Sequence, residues 1–242
     1  MAAEMCRYNR SMALSIIIPT LNEADTIQLV LARLQTLRSA GAEIIVVDGG
    51  SHDRTAEFAK PLAAPLVDHV ILSEVGRARQ MNAGARISTG EVLLFLHADT
   101  LLPADADLLI LQGLAKTNRS WGRFDVTIAG DHFFLGVIGW CMNLRSRLTG
   151  IATGDQAIFM TRTVFDQLGG FPDQALMEDI EMTSRLKKKG APLCLQARAI
   201  TSGRRWEQHG VWRTIWLMWR LRLQYFLGAK PSDLHRTYYK NS

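Results

Sequence analysis

Apolar and polar residues alternate in blocks along the first hundred positions, and these blocks predict strands and helices in turn. Short runs rich in Ile, Val, Leu and Phe that end at a polar residue or a turn are typical of buried parallel strands. Four such runs are Ser15–Pro19, Glu43–Asp48, Asp68–Leu72 and Val92–His97. Segments with helical spacing lie between them, at Asp25–Ser39, Arg54–Lys60 and Arg77–Ser88. This alternation predicts an α/β fold with a mostly parallel, doubly wound sheet and flanking helices.

Each predicted strand of this set except the third ends in a cluster of polar residues. The clusters are Pro19–Glu23, Asp48–Ser51 and His97–Asp99. In open α/β sheets, ligands bind outside the carboxyl ends of the strands, so the clusters predict a nucleotide-binding cleft. A dinucleotide site of the Rossmann type is the natural competitor, and it is disfavoured because no GxGxxG follows the first strand.

Composition excludes several classes of protein. The chain has 242 residues, 48% of them hydrophobic and 21% charged, which argues against disorder, collagen or a coiled coil. Three scattered cysteines, Cys6, Cys141 and Cys194, form no CxxC pair, which disfavours a disulfide framework and favours a reducing compartment. Residues 1–11 are polar, and no charge-free apolar stretch reaches 18 residues. We therefore expect a cytoplasmic protein without a transmembrane helix.

Charge is distributed unevenly along the chain. The net charge is +5, yet residues 182–242 contain thirteen Lys or Arg and two Asp or Glu, a net charge of +11. This basic end favours an anionic partner, which is a membrane surface, a phosphate-bearing ligand or nucleic acid. The alternative is a solvated basic face without a partner.

Seven motifs follow one another between about residues 14 and 208. They are SIIIPTLNEADTI (Ser15–Ile27), EIIVVDGGSHDRT (Glu43–Thr55), GRARQMNAGA (Gly76–Ala85), GEVLLFLHADT (Gly90–Thr100), GDQAIFM (Gly154–Met160), LGGFPD (Leu168–Asp173) and MEDIEM (Met177–Met182). In order and spacing they resemble the family-2 glycosyltransferases with the GT-A fold. The segment RRWEQHG (Arg204–Gly210) and the chain length resemble a small soluble subgroup of that family, associated with radical-SAM and selenium-related genes.

The resemblance implies an enzyme that transfers a sugar, with inversion, from a nucleotide-diphosphate sugar to a hydroxyl, carboxyl or phosphate acceptor. It implies a GT-A domain over residues 1–210, followed by a basic aromatic helix and tail over residues 211–242. Two alternatives stay open. One is a nucleotide-sugar binding protein with a lapsed metal site. The other is a nucleotidyltransferase, which would need a Gly-rich pyrophosphate loop that Ile18–Ala24 lacks.

The resemblance also assigns the donor contacts residue by residue. The base and ribose are assigned to Pro19, Thr20, Asn22, Glu23 and Asp48. A buried carboxylate such as Asp48 only accepts hydrogen bonds, which suits the imide N–H of a base, and Gly50 lets the backbone approach the ligand. For Glu23 the alternative role is a charge at a helix N-terminus.

Further donor contacts follow from the later motifs. They are assigned to Arg79, Asn82, Asp155, Arg205 and Trp206. A Gly-led helix start that carries arginines is suited to a diphosphate, an arginine fork suits phosphate, and Trp206 offers a flat wall to a sugar or lipid. Asp155 is expected to accept hydrogen bonds from sugar hydroxyls, and its alternative role is that of a turn carboxylate.

His97-Ala98-Asp99 occupies the position at which the family carries Asp-x-Asp, the motif that holds Mg²⁺ or Mn²⁺ against the diphosphate. Here His97 replaces the first aspartate. We expect Asp99 to be the metal ligand and Ala98 to line the cleft. His97 either contacts the ribose or the metal, or only ends a strand.

Glu178-Asp179 resembles the family's catalytic pair, with Asp179 as the general base. Such a base takes the proton of the acceptor hydroxyl as that oxygen attacks the anomeric carbon from the side opposite the nucleotide, so the configuration inverts. The alternative is a helix N-terminus that carries acidic residues for local stability.

The segment Val211–Gly228 has helical spacing, with large aromatic residues beside a stripe of arginines. This amphipathic pattern suits an interfacial helix on anionic lipid, and the alternative is a helix buried in the core or in a dimer. We therefore expect a small-molecule or lipid acceptor, a peripheral position on the inner face of the cell membrane and no nucleic-acid partner.

Overall fold

The computed structural model describes residues 13–59 and 65–240. Over the first hundred positions its elements are β1 (Leu14–Thr20), α1 (Ala24–Ser39), β2 (Glu43–Asp48), α2 (Thr55–Ala59), β3 (His69–Leu72), α3 (Arg77–Ile87) and β4 (Val92–Phe95). The predicted alternation is confirmed, and β4 ends two residues before His97, which lies in the turn beyond it. The polar segment 1–11, Cys6 and Lys60 lie outside the described residues.

The second half of the chain continues with shorter strands and more helices. These are β5 (Thr100–Leu101), α4 (Ala106–Thr117), β6 (Trp121–Ala129), α5 (Phe134–Thr149), a 3-10 turn (Gly154–Gln156), β7 (Phe159–Thr161), α6 (Arg162–Leu168), α7 (Glu178–Lys187), β8 (Leu193–Ser202), α8 (Arg204–His209), α9 (Val211–Phe226) and α10 (Pro231–Lys240). Within the two described ranges, none of the helices combines the length and the apolar character needed to cross a bilayer.

The strands form one sheet with the order β3-β2-β1-β4-β7-β6-β8-β5. The first four strands in this order are parallel, as the sequence predicts, so their carboxyl ends share one edge. β7 runs antiparallel to both β4 and β6, and β5 runs antiparallel to β8. The sheet is therefore parallel in its first half and mixed in its second half.

Helices cover both faces of the sheet because side chains alternate across each strand. Ile16 and Ile18 of β1 pack on one face with α1 and α4, whereas Ile17 packs on the other face with α3, α6 and α7. Gly84 allows α3 to lie directly on the strands, since a Cβ there would stand 2.5 Å from Ile17 Cγ2 and 2.9 Å from Val47 Cγ2. The N-terminus of α3 consequently lies near the edge where β1 and β2 end.

The C-terminal helices pack beside α7. Leu221 of α9 and Leu234 of α10 are buried in a small cluster with Met177 and Ile180. The hydroxyl of Tyr225 donates a hydrogen bond to Glu181 Oε2 at 3.1 Å, which also ties α9 to α7. The separation of residues 1–210 from 211–242 as a domain and a tail stays a prediction.

Candidate active site

Hydrogen bonds join the ends of β1 and β2 at the sheet edge where the donor is expected to bind. The buried carboxylate of Asp48 accepts from the backbone N–H of Ser51 at 3.1 Å and from its hydroxyl group. The side-chain amide of Gln80 on α3 donates to the carbonyl oxygens of Thr20 at 2.7 Å and Val47 at 2.9 Å. Asp48 and Thr20 are thereby held side by side at the carboxyl edge, with Gly50 in the following turn at a φ of +88°.

The loop that follows Pro19 and Thr20 is joined to the loop after β2. Asn22 has a φ of +56°, its N–H donates to Ser51 Oγ at 2.9 Å, and its Oδ1 accepts from the N–H of His52 at 2.9 Å. Glu23 reaches across to α8, where Arg204 Nη2 lies 3.4 Å from Glu23 Oε2. The predicted base and ribose residues are therefore brought together at one edge.

Asp179 lies in the first turn of α7, with its carboxylate held by two backbone amides. The N–H of Gly154 donates to Asp179 Oδ2 at 2.9 Å, and the N–H of Ile180 donates to Oδ1 at 2.7 Å. Met177, at a φ of +67°, precedes this turn. Neighbouring Glu178 is buried and pairs with Arg77 on α3, with Nη1 and Oε1 3.3 Å apart.

These surroundings tune the acidity of Asp179. Burial and the negative charge of Glu178 raise the pKa of Asp179 to about 6, against the opposing effects of the Gly154 amide, Arg77 and the Ile180 amide. A general base works best when its pKa lies near the operating pH, since it is then ionised and still basic enough to accept a proton. A carboxylate with such a pKa suits the role predicted for Asp179.

His97 belongs to the same cluster. Its Nδ1 lies 3.2 Å from Asp155 Oδ1. Its ring packs on Gly154, where a Cβ would collide with it. Burial acts to raise the pKa of Asp155, but the hydrogen bond and charge of His97, with the charges of Arg77 and Arg145, bring it below its usual value. The 3-10 turn that begins at Gly154 therefore links His97 to Asp179.

Asp99 follows in the turn after β4, next to the buried Ala98. Its carboxylate has one long contact, from the Thr100 hydroxyl to Oδ1 at 3.4 Å. In the part of the chain that the structure describes, no group of three or more His, Cys, Asp or Glu side chains is arranged to hold a metal ion. One accessible carboxylate nevertheless fits Mg²⁺ or Mn²⁺, because a nucleotide-bound metal commonly takes one or two carboxylates and completes its shell with phosphates and water.

Two residues predicted to line the donor cleft have protein partners that hold a loop in place. The guanidinium of Arg79 pairs with both carboxylate oxygens of Asp173, at 2.8 and 3.1 Å, and with Glu74 at 2.6 Å. The Asn82 amide donates to the carbonyl of Phe171 at 2.8 Å and accepts from its N–H at 2.9 Å. Both side chains thus fasten the loop before α7 to α3, and their donor contacts stay predictions.

The predicted arginine-aromatic element at α8 faces the last helix. Arg205 lies 3.7 Å above the ring of Tyr238 and also donates to its hydroxyl group. Trp206 is half-buried on the same short helix. The geometry directs Arg205 towards α10, so its predicted contact with the diphosphate requires another side-chain conformation.

Arg145 of α5 is a site residue that the sequence reasoning missed. Its Nε and Nη2 are buried without a hydrogen-bond partner among the described residues. Burial lowers the pKa of Arg145, while the nearby charges of Asp179 and Asp155 act in the opposite direction. Arg145 lies near the end of a largely apolar helix. In the sequence it looks like an ordinary basic residue near a helix C-terminus, so its position alone did not mark it as part of the site.

The mixed α/β domain with its single sheet and flanking helices has the fold of the GT-A glycosyltransferases. The family model described as Glycosyl transferase family 2 matches residues 15–162. The chain belongs to this family, and its fold is the GT-A fold.

Two curated relatives illustrate the similarity. The probable glycosyltransferase YdaM of Bacillus subtilis is 28% identical over 234 residues, covering 88% of this chain and 54% of the relative. A PGL/p-HBAD biosynthesis glycosyltransferase of Mycobacterium bovis is 39% identical over 164 residues, covering 65% of this chain and 62% of the relative. The chain therefore spans little more than half the length of these relatives.

Solved structures share the fold. The mannosyltransferase PcManGT of Pyrobaculum calidifontis, in complex with GDP-Man and Mn²⁺, has a TM-score of 0.64 at 20% identity, covering 98% of this chain and 74% of that one. TarS residues 1–349 of S. aureus, in complex with UDP, has a TM-score of 0.64 at 18% identity, covering 79% of this chain and 60% of that one. At these identities the likeness establishes the fold.

Proposed function

We propose that this glycosyltransferase moves a sugar, with inversion, from a nucleotide-diphosphate sugar to a hydroxyl, carboxyl or phosphate group of a small-molecule or lipid acceptor. The observation that carries the proposal is the carboxylate of Asp179, held by the Gly154 amide with a pKa of about 6. The GDP-Man and UDP complexes of PcManGT and TarS support a nucleotide-sugar donor.

Asp179 acts as the general base. Above about pH 6 its carboxylate is ionised and accepts the proton of the acceptor hydroxyl. A carboxylate or phosphate acceptor arrives already ionised, and its attack on the anomeric carbon needs no general base. Arg77 neutralises Glu178, which keeps two adjacent acidic side chains compatible at the start of α7.

The donor lies along the carboxyl edge of the first strands. Asp48 accepts from the base, and the backbone around Gly50 gives close access to it. Asn22 and Glu23 shape the ribose side, because the Asn22 amide donates to Ser51 Oγ and the Glu23 amide to Thr55 Oγ1. Asp155 accepts from hydroxyls of the sugar, beside the base Asp179.

Asp99 is the residue that would hold Mg²⁺ or Mn²⁺, and the ion would neutralise the charge that develops on the diphosphate as it leaves. His97 orients Asp155 through its Nδ1. Arg77 of α3 and Arg204 of α8 pair with Glu178 and Glu23, and they add positive charge near the leaving group.

We assign the reaction to the cytoplasm, at the inner face of the cell membrane, with no nucleic-acid partner. The net charge of +11 over residues 182–242 supports the membrane surface in this proposal, because basic residues favour an anionic partner. A lipid acceptor in that surface would then meet Asp179 without leaving the membrane.

A thermal-shift panel of nucleotide-sugars, each with and without Mn²⁺, tests the donor class. A ligand at 100 times its dissociation constant adds about 2.7 kcal/mol to the free energy of unfolding. Donor hydrolysis without an acceptor is then followed for every ligand that stabilises the protein. If no nucleotide-sugar stabilised the protein at saturating concentration, the proposed function would be wrong.

The replacement of a carboxylate by His97 favours a second candidate, a nucleotide-sugar binding protein without turnover. The same panel separates the two. Stabilisation by a donor, together with no hydrolysis and no transfer to any hydroxyl, carboxyl or phosphate acceptor in the presence of Mn²⁺ or Mg²⁺, would favour the binding protein.

A further inference from the structure

α9 presents a row of large apolar side chains to solvent. The row comprises Trp212, Trp216, Trp219, Leu223 and Phe226, which are between 60% and 75% exposed. Spacings of three and four residues put them on one side of the helix. The buried residues Val211, Thr214 and Leu221 lie on the opposite side. α9 is therefore packed on the protein by one face and leaves its aromatic face uncovered, which a core helix would not do.

A second uncovered row lies on α5 and the residue before it. This row comprises Phe133, Val137, Trp140, Leu144 and Leu148, which are between 39% and 82% exposed. The two helices meet where the ring of Phe134, next to Phe133 of the second row, packs edge-on against Trp212 of the first row, with ring centroids 5.0 Å apart. We call the ten residues of the two rows the two-helix face. Exposed apolar surface that is grouped in this way marks an interaction site.

The charged residues within the two helices that carry the face are all basic. Neither α5 nor α9 contains an acidic residue. Arg213 and Arg220 follow the tryptophans on one side of the α9 row, and Arg222 lies on the other side at helical spacing. Aromatic side chains flanked by arginines suit the boundary between lipid headgroups and acyl chains.

We propose that the two-helix face binds the protein to an anionic lipid bilayer. A second copy of the chain is a poorer occupant, because the same face of that copy offers no acidic residue on either helix to pair with the arginines of α9. The anionic surface supplies the charge that the face lacks, and the bilayer buries the aromatic rows.

This inference deepens the proposed function and rests on it, since the face is attached to the catalytic elements. α9 packs on Ile180 of α7, the helix that carries Asp179, and on Met177 just before that helix. α5 is tied to the 3-10 turn, because Gln156 Nε2 donates to Ser146 Oγ at 3.0 Å. A bound membrane would hold the general base at a defined height above the lipid headgroups, where an acceptor lipid presents its polar group.

Sedimentation with vesicles tests the face. The probes are phosphatidylcholine vesicles with and without phosphatidylglycerol, at low and high salt. We expect binding to the anionic vesicles at low salt that weakens as salt rises. Arg213→Gln with Arg220→Gln should weaken it about fivefold for each arginine. Trp216→Glu with Trp219→Glu, and separately Trp140→Glu, should each weaken it by about tenfold or more.

Leu29→Glu is the matched control, because Leu29 is 57% exposed on α1 and belongs to neither row. It should bind vesicles as the wild type does, and circular dichroism should report folded protein for every variant. Wild type that stays in the supernatant with anionic vesicles at low salt would overturn the proposal. Loss of binding in Leu29→Glu equal to that in the tryptophan variants would also overturn it.

Gel filtration tests the alternative that a second copy of the chain, and not a bilayer, covers the two-helix face. A wild-type dimer that Trp216→Glu with Trp219→Glu converts to a monomer, without any vesicle binding, would assign the face to a second copy and overturn the bilayer. Donor hydrolysis measured without vesicles keeps this outcome apart from the proposed function. Failure of docking leaves hydrolysis intact, whereas failure of the enzymatic proposal removes hydrolysis and leaves vesicle binding unchanged.

Discussion

His97 Nδ1 and Asp155 Oδ1 lie 3.2 Å apart although 58 positions separate these residues in the chain. His97 stands where the family motif carries a carboxylate. Its partner Asp155 supplies a carboxylate at that point from a different loop, the 3-10 turn whose first amide also holds Asp179. The imidazole therefore links the strand-end side of the site to the side that carries the base.

Asp179→Asn should lower turnover by about 100-fold or more, the usual contribution of a positioned general base. The amide keeps the size of the side chain but cannot accept the proton. Donor binding, measured by calorimetry with a nucleotide-sugar, should change little. Turnover near that of the wild type would remove Asp179 from its role.

The same substitution should stabilise the fold at neutral pH. Because the folded state raises the pKa of Asp179 to about 6, ionising it above that pH opposes folding, and the uncharged Asn avoids the penalty. We expect the free energy of unfolding to rise by roughly 1–2 kcal/mol at pH 7.5. The gain should shrink towards pH 4, where the folded wild type is protonated. Denaturant melts at both pH values check this, and a gain independent of pH would contradict the cause given.

Arg77→Gln should move the acid limb of the kcat/KM profile to higher pH than in the wild type. The charge of Arg77 lowers the pKa of Asp179, whereas burial and Glu178 raise it. Removing that charge should therefore raise the pKa of Asp179 further. Arg86→Gln, an exposed change in the last turn of the same helix, is the control and should leave the limb in place. An unmoved limb in Arg77→Gln would show that another group controls it.

Asp99→Ala should abolish metal-dependent donor binding, and His97→Asp should shift the preference from Mn²⁺ towards Mg²⁺. The first change removes the expected ligand, and the second adds a hard oxygen ligand where an imidazole stood. Calorimetry with a nucleoside diphosphate, with each metal and without metal, measures both. If the wild type bound the nucleoside diphosphate equally well with and without metal, Asp99 would not be a metal ligand.

Gly154→Ala should impair activity through His97. A methyl group at residue 154 would collide with the imidazole and push it away from Asp155. In a His97→Ala background the same methyl group has room, so the double variant should lose little more than His97→Ala alone. This non-additivity is the quantity to measure, in turnover and in unfolding. Strictly additive losses would mean that the methyl group acts elsewhere.

Local sequence patterns were sufficient to predict the strands in the first half of the sheet. β1, β2 and β4 are continuous apolar runs, and their parallel order follows from the intervening helices. β7 has three residues, too few for any periodicity, so its antiparallel pairing depends on partners distant in the chain. The direction of the α9 tryptophans could not be read from the sequence either, because a core helix and an interfacial helix share that pattern.

Part of the candidate site could not be predicted from the sequence either. The pairing of Arg79 with Asp173 joins residues 94 positions apart, and that of Asn82 with Phe171 joins residues 89 apart. Both types of residue also suit a phosphate or a sugar, so residue type alone favoured the ligand. Only the packing of α3 against the loop before α7 reveals that these side chains have protein partners.

The exposed tryptophans make the intrinsic fluorescence of the protein sensitive to binding at the two-helix face. Four of its six tryptophans, Trp140, Trp212, Trp216 and Trp219, belong to the two-helix face, whereas Trp121 is buried and donates to the Gly190 carbonyl at 2.9 Å. Emission from the free protein should therefore be red-shifted and readily quenched by iodide. Transfer of the four indoles into lipid would shift the emission to shorter wavelengths and shield them from the quencher, while Trp121 and Trp206, which lie outside the face, contribute a constant background.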